Sequence, residues 1–384
     1  MANLVLDAVR ELGPTLAARS DEIEANRTLP PDVVQLVRDT GAFRLWVPAD
    51  LNGPQLSAWE GLEVIEELGY HDGASGWCSM IGSTTSLLSL YLPDEYATEL
   101  FGDPHAIGGG FAQPAGRATV VEGGLRVTGR WQWGSGTRHC TVVGGGCRIV
   151  DADGKTAARP DGLVVPFAFF HPDDVEFIDN WDVSGLGGTG SCDYQVVDAF
   201  VPEGRWVQLG RDRPVRDVEV ARFSFYGLLG AGVASVAMGI GRRAIDELVT
   251  LAAEKKPQGS KRTLAERSQT QADVAIAEAK LGAAWSFLRD AIEDTWATAE
   301  AGDRPSGEQK RMIRLAAAHA TQTAAEVAEL MYKTGGGASV YRTSPLQRTF
   351  RDAFVATQHA MVAPRMYDIC GRIRLGLESD MATL

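Results

Sequence analysis

Apolar residues recur at helical spacing through the first hundred positions. Val33, Leu36 and Val37 follow a Pro30-Pro31 start and stop at Gly41; Leu62, Ile65 and Leu68 mark a second segment. Ala74 to Leu92 is a third, closed by Pro93 before a short Asp94–Phe101 helix. An N-terminal helical domain over residues 1–107 is expected. From Gly108 the period shortens to alternation, as ATVVEGGLRVTGRWQWGSG and TVVGGGCRIV set β-branched and aromatic residues between glycine turns. Val164–Phe170, Val175–Ile178 and Tyr194–Val201 continue the pattern to Pro202, which predicts an antiparallel β domain over 108–215. Helical periods then return in Phe223–Ala253, Leu264–Ala301, Ser306–Tyr332 and Pro345–Ile373. Four such segments predict a C-terminal four-helix bundle over 216–384 and an α+β fold class.

Composition narrows the partners. Fifty acidic against 37 basic side chains give a net charge of -13, which repels nucleic acid and anionic lipid. The five cysteines, Cys78, Cys140, Cys147, Cys192 and Cys370, are odd in number and include no CxxC pair. They argue against a disulfide framework or a structural zinc site and for a cytoplasmic location. The first 25 residues carry acids and read as an amphipathic helix rather than a signal sequence. Phe223 to Gly241 carries no charge and is long enough to span a membrane, but its glycines dilute the hydrophobicity. A core helix of a large bundle, with no membrane partner, is the expectation.

Several motifs fail on context. Gly185-Leu-Gly187-Gly-Thr-Gly190 satisfies GxGxxG, yet the next residues, SCDYQVVDAFVP, read as a strand, so the segment is a loop and not a dinucleotide fingerprint. Gly335 to Gly337 lack the lysine and hydroxyl of a P-loop and suit a helix C-cap. No HExxH or GxSxG is present, which leaves neither a catalytic metal nor an esterase triad with support.

The segments GAFRLWVPADLNG, GGFAQPAG, GRWQWGSG, WDVSGLGGTGS with DAFVPEGRW, and PLQRTFRDAFVATQH occur in one order across nearly the whole chain. In that order they resemble the acyl-CoA dehydrogenase superfamily, and within it the oxygenase components of two-component flavin-dependent monooxygenases. The dehydrogenases carry a catalytic glutamate shortly after RDA; here Arg351-Asp352-Ala353 leads to Thr357-Gln358-His359-Ala360. Their alternative glutamate site, just before the arginine that opens the first bundle helix, is Ala221 beside Arg222. Glu219 lies near and keeps a dehydrogenase or oxidase with a displaced base as an alternative. A flavin-free binding or scaffold protein is a second alternative.

The resemblance implies use of reduced flavin, FADH2 or FMNH2, supplied by a separate NAD(P)H:flavin reductase. Oxygen would add as a C4a-hydroperoxide and hydroxylate a small-molecule substrate: an aromatic, an amine or a biosynthetic intermediate. It also implies a homotetramer. Carried onto this chain, His359 and Ser135 become the catalytic candidates, an imidazole and a hydroxyl in place of a carboxylate. Ser135 would face flavin N5 and Trp133 would stack on the ring. Phe111 and Gln113 stand in the loop that meets the flavin pyrimidine, with Gln113 replacing the usual glutamate. Arg262 and Gln271 match residues that reach a neighbouring subunit's flavin, and Gly335 and Gly336 a turn near the phosphates. Plain structural roles stay open for each: a satisfied bundle histidine, a turn serine, a core tryptophan, surface Arg262 and Gln271. Arg348 and Arg351, on one helix face with Asp352, suit an ion-pair cluster, while Trp77, Ser79 and Tyr226 are candidates to line a pocket.

Overall fold

The computed structural model describes residues 3–379, except 152, 157, 160, 161, 164, 209 and 210. Five helices precede the strands: α1 (Leu4–Asn26), α2 (Pro31–Asp39), α3 (Ala58–His71), α4 (Gly73–Ser86) and α5 (Asp94–Phe101). Local chemistry sets their ends. Ser57 and Glu60 close a reciprocal capping box at the start of α3. Asp72 ends α3 and caps α4, accepting the Ser75 N–H at 2.7 Å.

The strands are β1 (Gly108–Val121), β2 (Gly124–Trp131), β3 (Val142–Val150), β4 (Ala158–Arg159), β5 (Gly162–Leu163), β6 (Phe167–Phe170), β7 (Glu176–Ile178), β8 (Asp193–Pro202) and β9 (Trp206–Val207). The strand expected from Val164 begins at Phe167; Val164 itself lies outside the described residues. Seven strands form one sheet in the order β7-β8-β2-β1-β3-β6-β9. The sheet is mixed where a wholly antiparallel one was expected, because β1 and β3 pair parallel. A tight turn at Gly123 folds β2 back on β1, whereas ten residues, 132–141, carry the chain back across before β3 enters. That excursion holds Trp133 and Ser135.

The C-terminal helices are α6 (Glu219–Arg222), α7 (Phe225–Glu254), α8 (Ser268–Glu300), α9 (Gly307–Gly335), α10 (Pro345–Ala356) and α11 (Arg365–Arg374). The fourth bundle segment is therefore split in two. Pro364 has no N–H to continue the ladder and disfavours helical geometry before it, so residues 357–364 form turns, and His359 lies among them. Helix α7 is long and apolar enough to cross a membrane, but 83% of its apolar window is buried within the fold. Its glycines serve close packing. A Cβ at Gly239 would stand 2.1 Å from the Glu66 carbonyl oxygen, and one at Gly69 would stand 2.7 Å from that of Val236. Helices α3 and α7 thus meet nearly backbone to backbone, and the core continues from the N-terminal helices into the bundle.

Candidate active site

The loop between β2 and β3 is tied to the segment before β8 by backbone bonds. Gly134 N–H donates to Cys192 and Gly136 N–H to Thr189, at 3.0 and 2.9 Å. Immediately before the first tie Trp133 is held at φ 57° with its side chain 56% exposed. A bulky residue in left-handed backbone is strained, and here the strain displays an indole rather than burying it. The Phe111 ring meets that indole edge-on, with centroids 5.8 Å apart. Phe111 spends its own N–H on the Tyr194 hydroxyl at 2.8 Å, and Gln113 is exposed beyond it in an irregular stretch of β1.

Ser135 is buried and held by protein on two sides. Its Oγ accepts the Trp77 indole N–H at 3.1 Å and lies 2.7 Å from Ser191 Oγ. Ser191 Oγ lies 2.7 Å from Thr189 Oγ1, which donates to the Leu186 carbonyl at 2.8 Å. Trp77 also presents its ring to His359, edge-on at 5.6 Å. One tryptophan of α4 therefore brings together the hydroxyl from the sheet loop and the imidazole from the broken helix.

His359 Nδ1 accepts the Met361 N–H at 3.3 Å, which places the proton of the neutral ring on Nε2. Burial pushes the imidazole pKa down to about 4, and the Arg314 charge adds to the shift. Arg314 is itself fully buried on α9, donating to the Tyr226 carbonyl at 3.1 Å and the Met361 carbonyl at 2.9 Å. It clamps the turn that carries His359. At neutral pH the histidine is thus an uncharged N–H donor.

The remaining candidates divide. Arg262 and Gln271 are exposed in and after the α7–α8 connection, and Gln271 donates to the Ala265 carbonyl at 3.0 Å. Gly335 and Gly336 end α9, with Gly336 at φ 57° as its C-cap. Lys255, which the motifs did not single out, donates to the Gly335 carbonyl, while its own carbonyl accepts the Leu264 N–H. This draws the connection holding Arg262 toward the Gly335 turn, as a group separate from the Trp77 cluster. Ser79 does not line a pocket: it is fully buried and donates to the Ala42 carbonyl. Tyr226 is half-buried on α7. Glu219 opens the four-residue helix α6, an element apart from those that meet at Trp77.

Arg348 and Arg351 do pair, but with Asp21 and Glu24 of α1 rather than with Asp352. Asp352 turns inward and accepts the Leu186 N–H at 2.6 Å. Burial is the reason, since the carboxyl faces the Gly185–Gly190 loop while the longer arginines reach the surface of α1. The GxGxxG-like run is that loop, followed by β8 as expected.

An exposed Trp133 flanked by Phe111, with Ser135 and a free imidazole N–H nearby, suits a flat heteroaromatic ring bearing hydrogen-bonding edges, as a flavin has. Residues 231–364 match the family model described as acyl-CoA dehydrogenase, C-terminal domain, which defines the class of fold. The chain is 32% identical to the indole-3-acetate monooxygenase of Pseudomonas putida, over 97% of this chain and 92% of that protein. It superposes on the HsaA monooxygenase of M. tuberculosis with a TM-score of 0.88, at 26% identity and 99% coverage of both chains. XiaF of Streptomyces sp., solved with FADH2 and glycerol, shares the fold with a TM-score of 0.91 at 24% identity, covering 97% of this chain and 95% of that one. The chain belongs to the family of oxygenase components of flavin-dependent monooxygenases.

Proposed function

We propose that this protein takes reduced flavin, as FADH2 or FMNH2, from a separate NAD(P)H:flavin reductase and uses O2 to hydroxylate a small aromatic molecule. The observation that carries this reading is the meeting of Ser135 and His359 on Trp77. Thioester dehydrogenation needs a carboxylate base, whereas oxygen transfer needs neutral donors and acceptors in a dry site. The bound flavin supplies the reduction and activation of oxygen. Trp133 and Phe111 would cover the flavin ring and exclude water. Ser135 would hold the ring edge. His359 would donate a hydrogen bond from its Nε2–H to an oxygen of the substrate or of the transferring group without placing a cation there. The name of the indole-3-acetate monooxygenase favours an aromatic substrate over an amine.

A homotetramer fits the exposed positions of Arg262 and Gln271, which would approach a flavin held by another subunit. Five free cysteines fit a cytoplasmic enzyme. The test is anaerobic reduction of FMN or FAD, mixing with the protein, a panel of hydroxylatable aromatics and ¹⁸O₂, and mass analysis of products. One ¹⁸O per product is expected. Its loss in His359→Ala and Ser135→Ala, with oxygen consumption continuing as hydrogen peroxide, assigns the two side chains. Oxidation of acyl-CoA thioesters without oxygen, abolished by Glu219→Gln, would replace this reading with the dehydrogenase one.

A further inference from the structure

Each hydroxyl has one proton, and that count gives the Ser135 chain a direction. Thr189 spends its proton on the Leu186 carbonyl at 2.8 Å. In its 2.7 Å contact with Ser191 it therefore accepts, and Ser191 donates. With the Ser191 proton used, the 2.7 Å contact between Ser191 and Ser135 must be donated by Ser135. Trp77 can only donate, so Ser135 also accepts from it. The chain runs one way, from the Trp77 indole through three hydroxyls to a carbonyl. Ser135 is left with one lone pair and no proton to offer.

The far end is anchored. Leu186 sits at φ 52°, its N–H given to Asp352 at 2.6 Å and its carbonyl also accepting the Thr189 N–H at 3.1 Å. Thr189 and Ser191 are both buried, so water does not compete for their protons. Reversing the chain would release the bond from the Thr189 hydroxyl to Leu186.

We infer that Thr189 and Ser191 are positioning residues that make Ser135 an obligate acceptor, so that the site selects reduced over oxidised flavin. This rests on the flavin reading of the site. Reduced flavin carries a proton on N5 and can donate to Ser135. Oxidised flavin has only a lone pair there and would meet another lone pair unless the whole chain turned over. An oxygenase that must capture reduced flavin and release the spent form gains from that asymmetry. The loop that fails as a dinucleotide fingerprint thereby acquires a role.

The experiment is titration of the full-length protein with oxidised and with anaerobically reduced FMN and FAD, giving the ratio of the two Kd values for each flavin. Wild type should prefer the reduced form. Ser191→Ala cuts the chain, and Thr189→Val removes its anchor without changing side-chain shape much. Either frees Ser135 to donate, and each should narrow the ratio about three- to tenfold, the equivalent of one hydrogen bond. Thr189→Ser restores a donor and should restore the ratio, which a merely structural role for Thr189 would not require. Unchanged ratios in both folded variants, beside a wild type that prefers reduced flavin, would overturn the relay alone. A wild type that binds neither form would overturn the flavin reading itself.

Discussion

Trp77 donates its indole N–H to the hydroxyl of Ser135, 58 positions further along the chain, at 3.1 Å. The bond joins α4 to the loop between β2 and β3, and the same indole is what His359 faces. The geometry of the site is therefore set by how the N-terminal helices seat against the sheet and the bundle.

Replacing Trp77 by Phe separates these roles. The ring edge toward His359 is kept and the donor to Ser135 is lost, at a cost of about 1 kcal/mol for one neutral hydrogen bond. The expected outcome is a small fall in urea midpoint and a larger share of consumed oxygen released as hydrogen peroxide. Product formed per oxygen consumed is the measurement.

Trp133 stores backbone strain where it displays its ring. Trp133→Ala and Trp133→Gly both remove the ring and should weaken flavin binding about tenfold, the scale of a lost aromatic stacking contact. Only glycine relaxes the left-handed backbone, so the Gly variant should be more stable than the Ala variant by about 1 kcal/mol. Denaturation of the two flavin-free proteins, side by side, checks this.

His359 titrates at about 4 in the folded protein, against about 6.5 when unfolded. Between those values the unfolded chain binds more protons, so stability from this group is complete above pH 6.5 and is lost as pH falls through 4. Wild type should lose about 3 kcal/mol relative to His359→Asn between pH 7 and pH 4. Activity should show no inflection near pH 6.5 that His359→Asn abolishes. Urea midpoints and a pH–rate profile of both proteins decide it.

Asp352 has the opposite sign. Burial, with Asp72 and Glu24 nearby, lifts its pKa from 3.8 to about 7, although the Leu186 N–H and Arg351 pull the other way. The folded protein binds the extra proton between those values. The resulting stability is present at low pH and is lost as pH rises through 7. Asp352→Asn keeps an oxygen for Leu186 and no charge, so it should gain on wild type by about 2–3 kcal/mol from pH 5 to pH 8. Equal slopes of urea midpoint against pH for the two proteins would count against a buried neutral carboxyl.

Much of the fold was legible in the pattern of side chains, because helices, hairpins and caps obey rules spanning only a few residues. The 3.6-residue period marked α3 and α7, the glycine turn at Gly123 marked the β1–β2 hairpin, and the run after α9 read as a cap. The resemblance named Ser135, Trp133 and His359, and the absence of a carboxylate after RDA pointed away from thioester chemistry. Pro364 carried a helix break that the apolar period masked.

Which side chains meet was decided only by the tertiary structure. Periodicity says which face of an element is buried, but not which distant face it is buried against. The parallel pairing of β1 with β3, the inward turn of Asp352 and the union of Trp77, Ser135, Ser191 and His359 depend on how whole elements pack. The same packing removed water from His359 and left Ser135 one acceptor site. Composition determines that the chain holds imidazoles and hydroxyls; their protonation and hydrogen-bond direction come from the groups that the folded protein sets beside them.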